Sequence, residues 1–229
     1  FPQWLCDELA TPPANDNKIG LVVPQYEPTP LWEPQPGPQS LAVAAAFVSE
    51  LLFGGARGGG KSDFLLGDFL QDIDIGPAWR GIIFRRSYPE LEELITRAKE
   101  IFGPYGAEYR VSEKMFTFPS GATLKMRHVE TESDADKYQG HQYTWIGWDE
   151  LGNWPNLNAY KKLKACLRSA HAIPNKRIRC SANPGGIGHH AHRAGRRGKE
   201  PLRADALHLH RARPPVPWRG DAPDEHALR

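Results

Sequence analysis

Eight consecutive residues, Gly55-Ala56-Arg57-Gly58-Gly59-Gly60-Lys61-Ser62, fit the pattern G-x-x-x-x-G-K-[ST] throughout, the spacing at which a loop wraps a chain of phosphates. Gly55, Gly58, Gly59 and Gly60 let backbone N–H groups turn toward phosphate oxygens without interference from Cβ atoms, forming an anion nest. In such a loop Lys61 neutralises the β- and γ-phosphates and Ser62 ligates Mg²⁺. The positive N-terminal end of the following helix faces the same charge. A flexible glycine-rich linker is the bland reading of this run. The apolar residues before it and the helical pattern after it argue against that reading.

A second constellation lies near the middle of the chain. Asp149-Glu150 follows the apolar run Trp145-Ile146-Gly147-Trp148, so the first carboxylate is expected at the carboxyl end of a buried strand, where open parallel sheets bind ligands. Asp149 is then placed to hold Mg²⁺ through water, and Glu150 to orient or deprotonate the water that attacks a γ-phosphate. Taken alone, an Asp-Glu pair after an apolar strand reads as a solvated turn. A phosphate loop upstream, with a further strand between, reverses that. Trp145 and Trp148 are assigned to core packing. Ser181-Ala182-Asn183 closes a third apolar run; by itself it is only a turn before Pro184 and Gly185.

The elements that must position these groups alternate along the chain. Residues 1–38 are dense in proline, which breaks helix periodicity, and are expected to form an extended arm. A helix is expected to start at Gln39 in the stretch 39–50, then a short buried strand at 51–53, the loop, and an apolar-faced helix over 63–72. A strand at 81–84 and a helix over 88–102 follow. Residues 108–129 alternate in two or three short runs around Pro119, Ser120 and Gly121, as antiparallel strands with tight turns do, and so form an insertion. The strand at 143–148, an amphipathic helix at 156–169 and a strand at 177–180 complete a mainly parallel sheet covered by helices.

Composition bounds the rest. A chain of 229 residues, 40% hydrophobic, suits one globular domain with a sizeable core. A formal net charge of +2 is too small to announce a nucleic-acid binder by bulk charge, though it leaves room for a local basic strip. Cys6, Cys166 and Cys180 are widely spaced without C-x-x-C pairing, so neither a disulfide framework nor a zinc site is expected, and a reducing cytoplasm fits best. No apolar run approaches the roughly 20 residues that span a bilayer, and no charged-then-apolar leader opens the chain, so an unexported protein without a membrane partner is expected. A chain beginning at Phe1 need not be a whole gene product.

Beyond Gly188 the character changes. Residues 189–229 hold eight Arg and one Lys against five acids, with few large apolar residues and no periodicity. A basic nucleic-acid-binding tail and a truncated or frame-shifted end are the two readings; the mixture of Ala, His and Pro favours the second. His189, His190 and His192 lack a partner carboxylate or cysteine at ligand spacing and are read as solvated rather than metal-binding.

The run PGPQSLAVAAAFVSELLFGGARGGGKS at 36–62, WIGWDEL at 145–151 and CSANPGG at 180–186 together resemble the ATPase domain of tailed-phage DNA-packaging terminase large subunits, over roughly residues 32–188. Gly55–Ser62 and Asp149-Glu150 correspond to the family's Walker A and Walker B positions. The resemblance implies that Gln39 recognises adenine, whose N6 and N7 suit a side-chain amide; the alternative is a glutamine that merely opens a helix after proline. It implies that Arg57 senses or stabilises the γ-phosphate, against a plain solvent-facing arginine. It implies that Ser181, Ala182 and Asn183 couple nucleotide state to movement. There are two departures. Large terminases continue into a nuclease domain, and no carboxylate cluster after Gly188 supplies one, so cleavage is not expected. Many members of that family carry an arginine shortly before the acidic strand, where Gln139-Gly140-His141 stands here, leaving Arg85, Arg86 and Arg127 as unranked candidates for an arginine finger.

The expected fold is therefore an α/β P-loop NTPase with a mainly parallel sheet, of the additional-strand, catalytic-glutamate type, carrying a β-hairpin insertion. The expected reaction is hydrolysis of ATP with Mg²⁺. The resemblance implies packaging of double-stranded DNA into a procapsid in the host cytoplasm, by a homo-oligomeric ring docked on the portal protein with a small terminase subunit. Three alternatives stand beside this: another DNA-dependent P-loop ATPase of helicase or repair type, a small-molecule kinase, and a truncated remnant that binds ATP without turnover.

Overall fold

The phosphate-loop pattern requires a strand, a tight loop and a helix in succession, and these occur as β1 (Glu50–Gly54) and α2 (Lys61–Leu70) around the glycine run. The structure, a computed structural model, describes residues 31–184. Most of the expected arm, the stretch 189–229 and its histidines lie outside the described residues. Before β1 comes α1 (Pro38–Ala44), with Pro38 in its first turn, where a missing N–H costs nothing. It ends well before Glu50, earlier than the helix-forming composition of 39–50 suggests.

After α2 the chain forms a short 3₁₀ segment, Ile73–Ala78, then β2 (Arg80–Arg85) and α3 (Tyr88–Phe102). α3 opens on a capping box: Glu90 Oε2 accepts the Ser87 N–H at 3.3 Å and Pro89 sits in the first turn. Three strands follow, β3 (Glu108–Arg110), β4 (Met115–Thr117) and β5 (Thr123–His128). The chain then makes α4 (Glu132–Asp136), β6 (Trp145–Trp148), α5 (Asn158–Lys164) and β7 (Arg177–Ala182).

The seven strands among the described residues join one sheet in the order β1-β7-β6-β2-β5-β4-β3. The pairs from β1 through β5 are parallel, and the β5–β4 and β4–β3 pairs are antiparallel. β7 lies between the loop-bearing β1 and the acid-bearing β6, which is the additional strand expected of this fold class. The region 108–129 forms the expected antiparallel strands, β3 with β4 and β4 with β5, the latter pair turning at Pro119, Ser120 and Gly121. They are not set apart from the sheet, because β5 also pairs parallel with β2. Alternation marks which face is buried but not the direction of the neighbouring strand.

Strand alternation sends side chains to two cores. Ile83, Leu124, Met126 and Trp145 meet α2 and α3 on one face, while Ile82, Phe84, Ile146, Trp148, Ile178 and Cys180 meet α5 on the other. Trp145 and Trp148 are fully buried, as expected. Phe69 of α2 is the hub of the first face, with ring centroids 5.5 Å from Trp145 and 5.8 Å from Trp79 and Phe118. Such ring pairs each add about 0.5–1.5 kcal/mol beyond burial. Gly81 is required there, because a Cβ would stand 2.5 Å from the Phe69 ring.

Two further expectations change. The strand at 51–53 is half-buried rather than buried, because β1 pairs only with β7 among the described residues and leaves Leu52 exposed. The helix expected at 156–169 is confined to Asn158–Lys164. Beyond it the Cys166 carbonyl accepts the Tyr143 N–H at 2.9 Å and the Arg168 N–H donates to the Tyr143 carbonyl at 3.0 Å. Extended pairing with the lead-in to β6 displaces the last helical turns. No helix among the described residues is long and apolar enough to cross a membrane.

Candidate functional site

β1, β7, β6 and β2 run parallel, so their carboxyl ends share one edge of the sheet, and the loop after β1, the acids after β6 and the polar end of β7 meet there. Gly58 (φ 78°) and Gly60 (φ 63°) turn the loop through the left-handed region that other residues rarely adopt. Gly60 is also the N-cap of α2 and makes no side-chain cap bond, so the helix opens without a side chain over its first turn. A Cβ on Gly60 would stand 2.7 Å from Gln39 Nε2. Gly55 is tied to the next strand by its N–H, which donates to the Ala182 carbonyl at 3.3 Å.

Lys61 is buried and folds back onto its own loop, its Nζ donating to the Ala56 carbonyl at 2.5 Å. Arg57 is exposed on the loop, with no hydrogen bond or ion pair among the described residues. Gln39, on α1, is buried behind the loop: its Nε2 donates to the Gly60 carbonyl at 2.8 Å and its Oε1 accepts the Gln35 N–H at 2.5 Å. Both ends of its amide are thus engaged by backbone, so contact with a purine requires it to exchange one of these partners.

Asp149 is the centre of the arrangement. Fully buried at the end of β6, its carboxylate accepts from Ser62 Oγ (2.9 and 3.1 Å), from Ser181 Oγ (2.6 Å) and from Arg85 Nε (2.7 Å). These donors come from the start of α2, the end of β7 and the end of β2. Glu150 follows in the left-handed conformation (φ 56°), which swings its side chain out of strand geometry. Its N–H donates to Ser181 Oγ at 2.8 Å, and its two carboxylate oxygens accept from Asn183 Nδ2 and Asn153 Nδ2, each at 2.9 Å. Arg85 Nη1 stands 3.6 Å from Glu150 Oε2.

The phosphate loop, the acidic pair and the Ser181-Ala182-Asn183 segment are thus brought together. Arg127 is not: its guanidinium is bound to the Lys114 and Met126 carbonyls on the β4–β5 side of the sheet. Arg86 reaches the Asn153 carbonyl at 2.6 Å, and Arg85 is committed to Asp149 within the same chain. Arg85 and Asn153 as partners of the acids were not legible in the sequence. An Arg-Arg pair closing a strand was visible, but its meaning depends on β2 lying beside β6.

Among the described residues no group of three or more His, Cys, Asp or Glu gathers to hold a metal. One buried carboxylate beside one hydroxyl nevertheless suits Mg²⁺, which keeps several waters and takes its remaining oxygens from phosphates. The donor set fits that ion.

A parallel sheet with a glycine loop at the end of one strand, an acidic pair at the end of another and an additional strand between them defines an α/β P-loop NTPase domain. Within that class the chain belongs to the family of terminase large subunits: the family model described as terminase large subunit, T4likevirus-type, N-terminal, matches residues 52–173, just over half of the 229. Gln39 and Ser181–Asn183 lie outside the matched segment. Two solved structures share the fold. The large terminase of a thermophilic bacteriophage is 16% identical with a TM-score of 0.53, over 66% of this chain and 40% of that one. The bacteriophage HK97 large terminase is 14% identical with a TM-score of 0.50, over 66% of this chain and 33% of that one. The match thus spans between a third and two fifths of the length of those proteins. No curated protein matches the sequence.

Proposed function

We propose that this chain is the ATP-hydrolysing motor part of a terminase large subunit, which drives double-stranded DNA into a procapsid in the host cytoplasm. The observation that carries the reading is the sharing of one buried carboxylate, Asp149, by Ser62 of the phosphate loop and Ser181 of the additional strand, with Glu150 held beside it. Family membership supports the packaging role, with the portal protein, the small terminase subunit and further copies of the chain in a ring as partners.

The chain's residues divide the work by position. Backbone N–H groups of 55–62 cradle the β- and γ-phosphates, and Lys61 exchanges the Ala56 carbonyl for phosphate oxygens. Ser62 and Asp149 are the groups that would hold Mg²⁺, directly and through water. Bound there, Mg²⁺ supplies charge neutralisation across the phosphates. Glu150, steered by Asn153 and Asn183, accepts a hydrogen bond from the attacking water and takes its proton. Arg57 reaches the γ-phosphate from the loop, and Gln39 reads the adenine once its amide is released.

A readout of ATP turnover in the full chain tests this. Glu150→Gln is expected to keep nucleotide affinity and lose hydrolysis by at least about 100-fold, the scale of a general base. Lys61→Ala is expected to weaken binding itself. Normal hydrolysis by Glu150→Gln removes the assigned role. Stimulation by forked DNA rather than by portal-bearing procapsids favours a helicase-like motor, and transfer of label to a metabolite rather than water favours a kinase.

A further inference from the structure

β7 carries arginines where a buried strand normally carries apolar side chains. Ile178 and Cys180 face one core; Arg177 and Arg179, on the other face, are both fully buried and converge on Asp68 of α2, itself fully buried. Asp68 Oδ2 accepts from Arg177 Nε (2.7 Å) and from the Trp145 indole (2.8 Å), while Oδ1 accepts from Arg179 Nε (3.0 Å) and Gln71 Nε2 (3.2 Å). Arg177 is further held by the Asp68 carbonyl, by Asp72 and by the face of Trp79. Arg179 turns the other way. Its Nη1 donates to the Val48 carbonyl at 2.8 Å, and its Nη2 to the carbonyls of Ala45 (3.1 Å) and Ala46 (3.2 Å), in the connection from α1 to β1.

One carboxylate and one guanidinium therefore tie together the phosphate-loop helix, the strand that carries Ser181 and leads to Asn183, the strand that leads to Asp149, and the segment joining the Gln39 helix to the loop strand. Stability alone does not call for this arrangement. A buried ion cluster replaced as a whole by apolar side chains is often no less stable, and burial pushes the Arg179 guanidinium's pKa down despite Asp68 beside it. What a guanidinium adds is a rigid fork of donors that aims at several acceptors at once. Asp68 lies two helical turns from Lys61, about 10 Å along the axis, and Arg179 is two strand residues from Ser181, about 7 Å. Neither reaches the chemistry.

We propose that Arg179, acting through Asp68, is a positioning residue: it holds the phosphate-loop helix and the α1–β1 connection in fixed register with β7, so that Ser62 and Ser181 close on one Asp149 carboxylate and Asn183 on Glu150. The proposal rests on the ATPase reading above, and its test separates the two.

The full chain is compared with Arg179→Met and Arg179→Lys. Arg179→Met is expected to melt below the parent, because it leaves Asp68 short of one partner and three carbonyls without a donor. At a temperature where it is still folded it is expected to keep KM for ATP within about twofold while kcat per folded molecule falls about tenfold or more, since a shift of about 1 Å at the site is enough to do so. Arg179→Lys, which keeps the charge and part of the reach, is expected to recover part of kcat. Parental turnover by Arg179→Met overturns the proposal, as does a loss of kcat that only tracks a lowered folded fraction. If the parent itself hydrolyses no ATP, the ATPase reading fails, and amide exchange without nucleotide decides the positioning role. Arg179→Met must then raise exchange at residues 61–64 and 180–183 together and leave β2 and β5 unchanged. Unchanged exchange at those two segments sinks it.

Discussion

Ser62 Oγ lies 2.9 and 3.1 Å from the two carboxylate oxygens of Asp149, although 87 residues separate them in the chain. A hydroxyl that donates its hydrogen to a carboxylate keeps its oxygen lone pairs for a cation, but one such oxygen beside one carboxylate fills only part of a Mg²⁺ shell. Mg²⁺ alone should therefore bind weakly, and Mg²⁺ with ATP strongly, because phosphate oxygens complete the shell. Ser62→Ala is expected to lower affinity for Mg²⁺-ATP at least about tenfold, roughly 1.4 kcal/mol, and to leave metal-free ATP binding unchanged. Calorimetric titrations with and without EDTA check this; an equal loss in both would assign Ser62 to the phosphates instead.

The Arg85–Asp149 pair is 10% and 0% exposed, so its partners cannot be replaced by bulk water. Arg85→Met leaves a buried carboxylate with only hydroxyl donors. Loss of one member of such a pair typically costs about 3–5 kcal/mol, and Mg²⁺ should recover part of it. Urea denaturation with and without the ion measures both quantities. A variant as stable as the parent in metal-free buffer contradicts the assignment.

Asn183 and Asn153 each hold one oxygen of Glu150 at 2.9 Å. With both removed, Glu150 keeps its charge but loses its aim. Asn153→Ala with Asn183→Ala is expected to lower kcat about 100-fold, the scale of a misplaced catalytic group, while KM stays near the parental value. Steady-state ATPase kinetics decide it, and a rise in KM alone would assign the pair to binding.

Alkaline stability follows from buried acids that are neutral in the fold. Burial pushes the Tyr143 phenol up to about 12 from 10.0. Burial likewise raises the Cys180 thiol above its usual 9.0, with the Glu50 carboxylate adding to it. A raised folded pKa contributes stability that is complete below the unfolded value and lost as pH rises through the folded one. The melting temperature is thus expected to fall from about pH 9 upward as the unfolded thiol ionises, and more steeply above pH 10 as the unfolded tyrosines follow. Cys180→Ala should flatten the first part, and Tyr143→Phe the part between pH 10 and 12. A profile identical to the parent's in both variants refutes the attribution.

Gln39 is held behind the loop by Gly60 and Gln35. If its amide reads adenine, Gln39→Leu, which fills similar volume without polar atoms, should reduce the preference for ATP over GTP about tenfold, the value of one or two well-placed hydrogen bonds. Competition binding measures the ratio. An unchanged ratio with a less stable loop would leave Gln39 as a support for Gly60 only.

Much of the site was readable before any fold was known. Gly55–Ser62 and Asp149-Glu150 stand out by residue type and spacing, the apolar runs before them mark the strands β1 and β6, and Ser62 and Asp149 meet. α4 was missed although Thr131 and Asp134 form a capping box of the expected spacing, because one helical turn has too little periodicity to register. The 156–169 helix was overextended because amphipathic spacing continues past the point where pairing with Tyr143 takes over the backbone.

What the amino-acid order determined by itself is therefore local: the glycine-rich turn, the acidic pair, and the alternation of strands and helices, all set by residue type and short-range periodicity. The tertiary structure alone decided that β7 inserts between β1 and β6, that Arg85 meets Asp149, and that Arg177 and Arg179 point inward to Asp68 rather than to solvent. The reason is that strand order and the partner of a buried charge are fixed by hydrogen bonds and desolvation between segments that are distant in sequence. Periodicity reports which face of a strand is covered, but carries no information about which strand lies beside it.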